Sequence, residues 1–487
     1  MNRPNSSAQQ TQDRRRLTRI DRFCRLFTDV RAGEGHTGVL MTATIMLILV
    51  AFYMIKPVRE GWISMEQLPG LTRLEIKAYA NFGQSLIFLF ILSTYDKMVG
   101  SLTRDQLIRR STLFCASNLL IFWVLQPRLY YDFVPGVGII FYLWVGMFGA
   151  FMVAQAWAFI IDLYNNERGR RLLPMIAIGA TLGSVCGSAL VNFITSIDVL
   201  GTQALLLLAN IPLIGSWLIC RSVNIDPRLE RIGPGHAPGF NVPVQNYRSA
   251  FKLVLGNRLL MLIAVITLLL NWVNSNGENL LFRIINEVIM QDIMTQGVID
   301  ADLHATLLKD KIIDFYGDFF FWVNMLALAL QTIVTSRLVK YGGLATVLLI
   351  LPVLVLASNI AIVIAPILTV IQFMKVVENA TDYSIHNTAR NILWLPMSME
   401  VKFKAKTTID SLFARLGDGF AAATVLMGVH VFSFSVQDYF FVNVGLVMVW
   451  LVGSLLVVQG YNELTGVKAS SDGSSQNTAS GKVTLTG

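Results

Sequence analysis

Charge is scarce in this sequence. Asp, Glu, Lys and Arg make up 14 % of its 487 residues, against about 25 % in a typical soluble domain. That excludes a disordered chain and argues against a soluble globular one. Cysteine is scarce too. Cys24, Cys115, Cys186 and Cys220 stand far apart with no paired spacing, which argues against a disulfide framework or a zinc site. The sequence has no glycine-rich nucleotide-hydrolysis loop ending in Lys-Ser/Thr, no zinc-protease helix motif and no serine elbow, so enzyme catalysis, a metal and a cofactor all lack sequence support. The first 35 residues are polar and basic and hold no apolar stretch of signal-peptide type, so no cleavable leader is expected.

Apolar residues are plentiful, 54 % of the chain, and they come in long runs. Stretches of spanning length lie at 36–57, 76–95, 112–127, 134–162, 172–195 and 201–220, and again at 257–275, 312–336, 343–364, 366–394, 406–431 and 436–459. Each is near the roughly 20 residues that a helix needs to cross a bilayer. The spacing predicts an all-α membrane protein with twelve transmembrane helices in two six-helix lobes. A cytoplasmic basic N-tail occupies 1–35, the first lobe 36–220 and the second lobe 257–460. Between the lobes lies a polar cytoplasmic linker, 221–256, that holds Pro227, Pro234, Pro238 and Pro243. The end, 461–487, is rich in Ser, Gly, Asn and Thr and reads as a disordered tail.

The net charge of +8 could suggest nucleic acid or acidic lipid as a partner. Placement decides for lipid. With both termini inside, 28 Lys and Arg fall on the cytoplasmic side and 8 on the external side, and Lys375, Arg390 and Arg415 lie within spans. This bias sets the orientation and places the basic excess, including the Arg14–Arg15–Arg16 run, against anionic lipid. The expected location is the inner membrane of a bacterium.

Charges inside the spans are the candidate chemistry. Lys375, Glu378, Asp382, His386 and Arg390 recur at i, i+3, i+7, i+11 and i+15, one face of a helix. A mid-span charge costs roughly 2.5–3.5 kcal/mol on insertion scales, so this stripe must face protein or a water-filled cavity. It is either a cavity lining or an internal ion-pair ladder. Span one ends with Tyr53, Lys56, Pro57, Arg59 and Glu60, which is either an interfacial helix end or a kinked, continuing helix. Asn271, Asn274 and Glu278 repeat the spacing of Tyr53, Lys56 and Glu60, 218 residues on. Span eleven holds Arg415 and Asp418 among small residues, and span five holds Gly179, Gly183 and Gly187, a helix-packing face.

Four segments resemble the ATP:ADP translocases of plastids and obligate intracellular bacteria. They are IKPVRE (Ile55–Glu60), NNERGRRLLPMIAIGATLG (Asn165–Gly183), FYGDFFFWVNMLALALQ (Phe315–Gln331) and the run Tyr383–Asp418. The last holds Tyr-Ser, a cation before Leu-x-x-Pro, and Lys-x-Lys-x-x-Ile-Asp. Pro57, Asn391 and Asp418 depart from the family's pattern. The resemblance implies a major-facilitator-type fold of parallel six-span repeats. It implicates Lys56, Arg59 and Glu60 in span one and Arg390 in span ten in substrate binding, with Lys404, Lys406 and Asp410 in a structural or gating motif.

The expected function is alternating-access exchange or import of a nucleotide or related phosphorylated anion. Lys56, Arg59, Glu60, Glu278, Lys375, Glu378, Asp382, Arg390 and Arg415 are the candidate site residues. One alternative is proton-coupled transport of another small solute through Glu378 or Asp382. The other is a non-transporting membrane scaffold of the same fold. The expected partners are an anionic small molecule and the lipid bilayer, without nucleic acid, in a monomer. Arg390 has no acid near it on its own helix, so its partner is expected to be an acid on another helix, Glu60 and Glu278 being candidates, or the substrate.

Overall fold

The computed structural model describes residues 18–465 except the linker core, 223–246, and short stretches at 26–27, 29, 32, 102–103, 127–133, 165, 198–200, 298–299, 395, 398–400, 402–404 and 407. The Arg14–Arg15–Arg16 run, most of the linker, Lys404 and the tail from Gly466 lie outside the described residues.

The described chain is helical throughout. Helices α1 (Gly35–Met65), α2 (Arg73–Ser101), α3 (Arg104–Leu125), α4 (Val137–Leu163) and α5 (Asn166–Thr195) are followed by α6, which is interrupted at Ala209 between Ala204–Leu208 and Asn210–Ser222. The second half brings α7 (Arg258–Thr295), α8 (Ala301–Ala329, with a π-turn at Leu330–Thr335) and α9 (Ser336–Ile364). Helix α10 (Leu368–Thr381) continues through a π-turn at Asp382–His386 to Asn387–Leu393. Helix α11 is a π-turn at Ile409–Phe413 and then Ala414–His430, and α12 is Val436–Thr465.

Among the described residues nine helical runs are long and apolar enough to cross a membrane. One of them, Leu303–Ile364, is 62 residues long, about 93 Å at 1.5 Å per residue and three times a hydrocarbon core. Gly343 divides it. Its φ of 64° and ψ of −169° are open to glycine and strained for other residues. With α2 and the α10 run, the count is consistent with twelve crossings.

Packing repeats between the halves. Helix α1 lies against α4, α5 and α6, while α7 lies against α10, α11 and α12. Glycines set the closest approaches, as expected for helices that must pack without a hydrophobic drive from water. A Cβ on Gly187 would meet the backbone of Val50, and one on Gly417 the backbone of Leu268. At the start of α1, Glu34 pairs with Arg171 (2.9 Å) and Arg168 (3.4 Å), which pins α1 to α5. The halves meet where α8 packs on α1 and α5 and where α2 packs on α7 and α11.

The structure carries two elements beyond their sequence-read spans. The polar stretch around Gln291–Lys311, between the spans ending at 275 and beginning at 312, is helical over most of its length, since α7 runs to Thr295 and α8 begins at Ala301. Leu280, Leu281, Ile284, Ile285, Ile289 and Ile293 are buried, at the helical period that carries α7 onward. Span one also does not stop at Pro57. Helix α1 includes it and continues to Met65.

Candidate functional site

From Val50 to Met65, helix α1 is buried except at Phe52 and Arg59. This is the C-terminal half of the helix, and there it touches α8. A Cβ on Gly61 would lie 2.5 Å from Ile313 Cγ1 and 2.9 Å from the Lys309 carbonyl oxygen. The candidate residues of span one sit in this seam.

Glu60 is 1 % exposed and holds two cations. Its Oε1 is 3.0 Å from Arg59 Nε and its Oε2 is 2.9 Å from Lys77 Nζ. Lys77, near the start of α2, is itself 1 % exposed. Its ammonium lies 4.4 Å from the ring centre of Phe282 on α7 and 5.5 Å from that of Tyr316 on α8. Arg59 lies over Tyr142 of α4 at 4.7 Å. Lys56 is arranged differently. It is buried, and its Nζ is 3.9 Å from the ring centre of Phe320 and 5.2 Å from that of Tyr53. Among the described residues it has no carboxylate partner. Aromatic faces attract an ammonium but do not neutralise it.

Lys77 was not among the residues picked out by sequence. It stands two residues into the expected second span, where a lysine reads as an ordinary interfacial charge. Its separation of 17 residues from Glu60 across a turn gives no periodic signal.

A second cluster joins α7 to α10. Lys375 pairs with Glu378 at 2.7 Å, and both are buried. Gly277 makes room for this ammonium, since a Cβ there would lie 2.7 Å from Lys375 Nζ. Asn379 donates to Glu278 at 3.3 Å. The upper part of the α10 stripe is therefore an internal ion pair. Asp382, where the π-turn begins, is partly exposed and has no ion pair among the described residues.

Arg390 pairs with an acid on another helix, though with neither of the two candidates named for it. Its Nη2 is 2.6 Å from Asp410 Oδ1 on α11, not near Glu60 or Glu278. About a third of each side chain is exposed, 34 % and 33 %. Ile263, Ile266, Thr267, His386, Leu393 and Trp394 line the crevice around this pair, and none of them comes from span one. His386 is 2 % exposed, with its ring edge-on to Trp450 of α12 at 6.2 Å. Asp410 belongs to the motif that the resemblance assigned a structural or gating role.

A third group ties α2, α7 and α11 together. Asp418 pairs with Arg415 at 3.1 Å and accepts from Ser85 of α2 (2.8 Å) and Ser275 of α7 (2.6 Å). Arg415 also lies over Phe88 of α2 at 5.0 Å. Beside it, Asn81 donates to Asn279 at 3.1 Å and accepts from Tyr142 at 2.5 Å. The bonds of Ser85 and Asn81 to α11 and α7 again join one half of the chain to the other.

The arrangement sorts the membrane charges by availability. Arg59, Lys77, Lys375 and Arg415 are committed to buried or partly buried acids. Arg390 has an exchangeable acid. Among the described residues Lys56, Asp382 and Glu278 have no ion pair, Glu278 having the hydrogen bond from Asn379. A charge within the membrane left without a counter-ion is costly, so these are where a charged ligand or a proton gains most.

No family model matches the chain. ADP,ATP carrier protein 1 of Chlamydia pneumoniae is 22 % identical over 315 residues, 57 % of this chain. The matched region spans 58 % of that carrier's length, and the resemblance read from the four segments is borne out by it. Among solved structures, a mutant of the nucleoside transporter NupG superposes with a TM-score of 0.60 at 12 % identity, over 86 % of this chain and 99 % of that one. A D-xylose–proton symporter gives 0.58 at 13 %, over 86 % and 96 %. The fold is that of the major-facilitator transporters. A third such structure, a bacterial homologue of the human lysosomal transporter Spinster in an inward-facing, unoccupied conformation, gives 0.56 at 12 %, over 88 % and 98 %. Each of these relatives is named as a transporter.

Proposed function

We propose that the chain is a secondary transporter of a bacterial inner membrane. It works by alternating access and exchanges or imports a nucleotide or a related phosphorylated anion. The observation that carries this reading is Lys56, an ammonium buried between the two halves with aromatic faces around it and, among the described residues, no carboxylate paired to it. Its segment resembles the translocase motif, and the curated relative is an ADP,ATP carrier. A phosphate group supplies the missing counter-charge. Arg390 adds a second contact after the phosphate displaces Asp410, and its planar fork suits two phosphate oxygens at once. Arg59, Glu60, Lys375, Glu378, Glu278 and Arg415 shape the site through the pairs that they already make.

The test is counterflow of labelled ATP and ADP into proteoliposomes. Saturable exchange is expected. A hydrogen bond to a charged group is worth about 1.5–3 kcal/mol, so Lys56→Ala should raise KM by roughly ten- to a hundred-fold in a protein that still purifies as a single species. Unchanged KM in Lys56→Ala and Arg390→Ala rejects the phosphorylated substrate. Absence of any saturable flux favours the scaffold alternative.

A second reading has its own observation. Asp382 is an acid within a span with no ion pair among the described residues, and Glu378 is committed to Lys375. Asp382 is therefore the proton carrier to test if transport of another solute proves gradient-driven. In that case Asp382→Asn abolishes uptake driven by a proton gradient and spares exchange.

A further inference from the structure

We infer that Lys77 is a positioning residue that keeps Lys56 available by holding Glu60 away from it. The inference rests on the reading of Lys56 as the substrate's cation.

Lys56 and Glu60 are four residues apart on one helix. At that spacing the Cβ atoms are about 5–6 Å apart, and a Lys–Glu pair forms readily. In a membrane interior nothing competes with such a pair, so Lys56 and Glu60 would join unless the acid were otherwise engaged. It is engaged at both oxygens, with Arg59 on Oε1 and Lys77 on Oε2. Arg59, the residue before it on the same helix, meets Oε1 alone. Lys77 reaches in from α2 and takes the remaining oxygen.

Lys77 is itself fixed from the other half of the chain. Its ammonium lies on Phe282 of α7 and within reach of Tyr316 on α8. Neither ring offers it an alternative carboxylate, so the pair with Glu60 is its one charged contact among the described residues. Phe320, one helical turn from Tyr316 on α8, faces Lys56. The two lysines are thus separated by role: one neutralises Glu60, and the other rests on aromatic rings with its charge unspent. Without Lys77, Glu60 is free to turn toward Lys56, and the site loses its available cation.

The test reads the state of Lys56 directly. Pyridoxal 5′-phosphate is an aldehyde that condenses with a free amine with loss of water. Borohydride reduction then fixes the adduct, which peptide mass spectrometry locates. Lys56 should label in the wild-type protein. Labelling should fall several-fold in Lys77→Met and stay near wild type in Lys77→Arg. It should return in Lys77→Met/Glu60→Gln, where Glu60 can no longer capture Lys56 and Glu278 stays held by Asn379. An unlabelled Lys56 in wild type, unchanged labelling in Lys77→Met, or a double variant as slow as the single one each overturns the inference. If Lys77→Met does not yield monodisperse protein, the double variant carries the test, because it removes both members of the buried pair together. ATP counterflow on the same proteins separates the two claims. The expected labelling pattern with a KM that ignores Lys56→Ala upholds the positioning role and rejects the nucleotide reading.

Discussion

Lys375 and Glu378 show what a buried charge demands. Their 2.7 Å pair is nearly dry, with side chains 3 % and 7 % exposed. Removing one partner of such a pair leaves the other uncompensated, at a cost of about 3–5 kcal/mol, whereas an apolar pair of similar volume is often tolerated. Glu378→Gln should therefore lower the unfolding temperature in detergent markedly, and Lys375→Met/Glu378→Leu should recover most of the loss. A double variant as unstable as the single one would show that the charges are needed for more than each other. This pair was readable from its i, i+3 spacing. The pairing of Arg390 with Asp410 was not, because the two residues lie on different helices and the bond depends on how α10 and α11 return past each other. Lys77 was hidden for the same reason, its partner being across a turn and its rings on α7 and α8.

At the scale of the element, α1 illustrates why a proline and a glycine can share a functional helix. Pro57 gives up a backbone donor, but α1 keeps its course to Met65. Gly61, four residues later, lets α8 approach within a distance that no other side chain allows. This contact joins the halves at the C-terminal end of α1. Gly61→Val should hold α1 and α8 apart and open that end. A cysteine replacing Tyr53, in a protein whose own four cysteines are changed to serine, should then react faster with an impermeant maleimide applied from that side. Equal rates with and without Gly61→Val would mean that the contact does not hold the seam. The glycines of α5 were legible as a packing face from their spacing, and Gly187 meets α1 backbone as that spacing implies. The π-turns at Leu330–Thr335, Asp382–His386 and Ile409–Phe413 were not legible. A one-residue widening of a turn leaves the apolar pattern almost intact.

For the whole molecule, the sequence carried the layout well. Long apolar runs and the repeat between α1 and α7 have counterparts in the packing of α1 on α5 and α7 on α11. The extent of α7 and α8 was harder to read, because Asp, Glu, Lys and Arg between 278 and 311 mask the apolar period beneath them. Orientation rests on the basic residues. With 28 Lys and Arg expected on one side and 8 on the other, a cysteine replacing Gly235 in the linker should label only after the membrane is permeabilised. Labelling in intact cells would reverse the topology.

The pair between Glu60 and Lys77 also bears on how the chain is made. Synthesis delivers α1 to the membrane long before α8, and α1 arrives with Lys56, Arg59 and Glu60 in its second half. Unpartnered, each such charge resists leaving the insertion channel for lipid by roughly 2.5–3.5 kcal/mol at mid-bilayer. The first relief available from another helix comes only 17 residues later, when Lys77 emerges on α2 and can meet Glu60 across the turn. Helices α1 and α2 thus have a physical reason to enter the bilayer together as a hairpin, with the bond that later shapes the site serving first to bring its charges into the membrane.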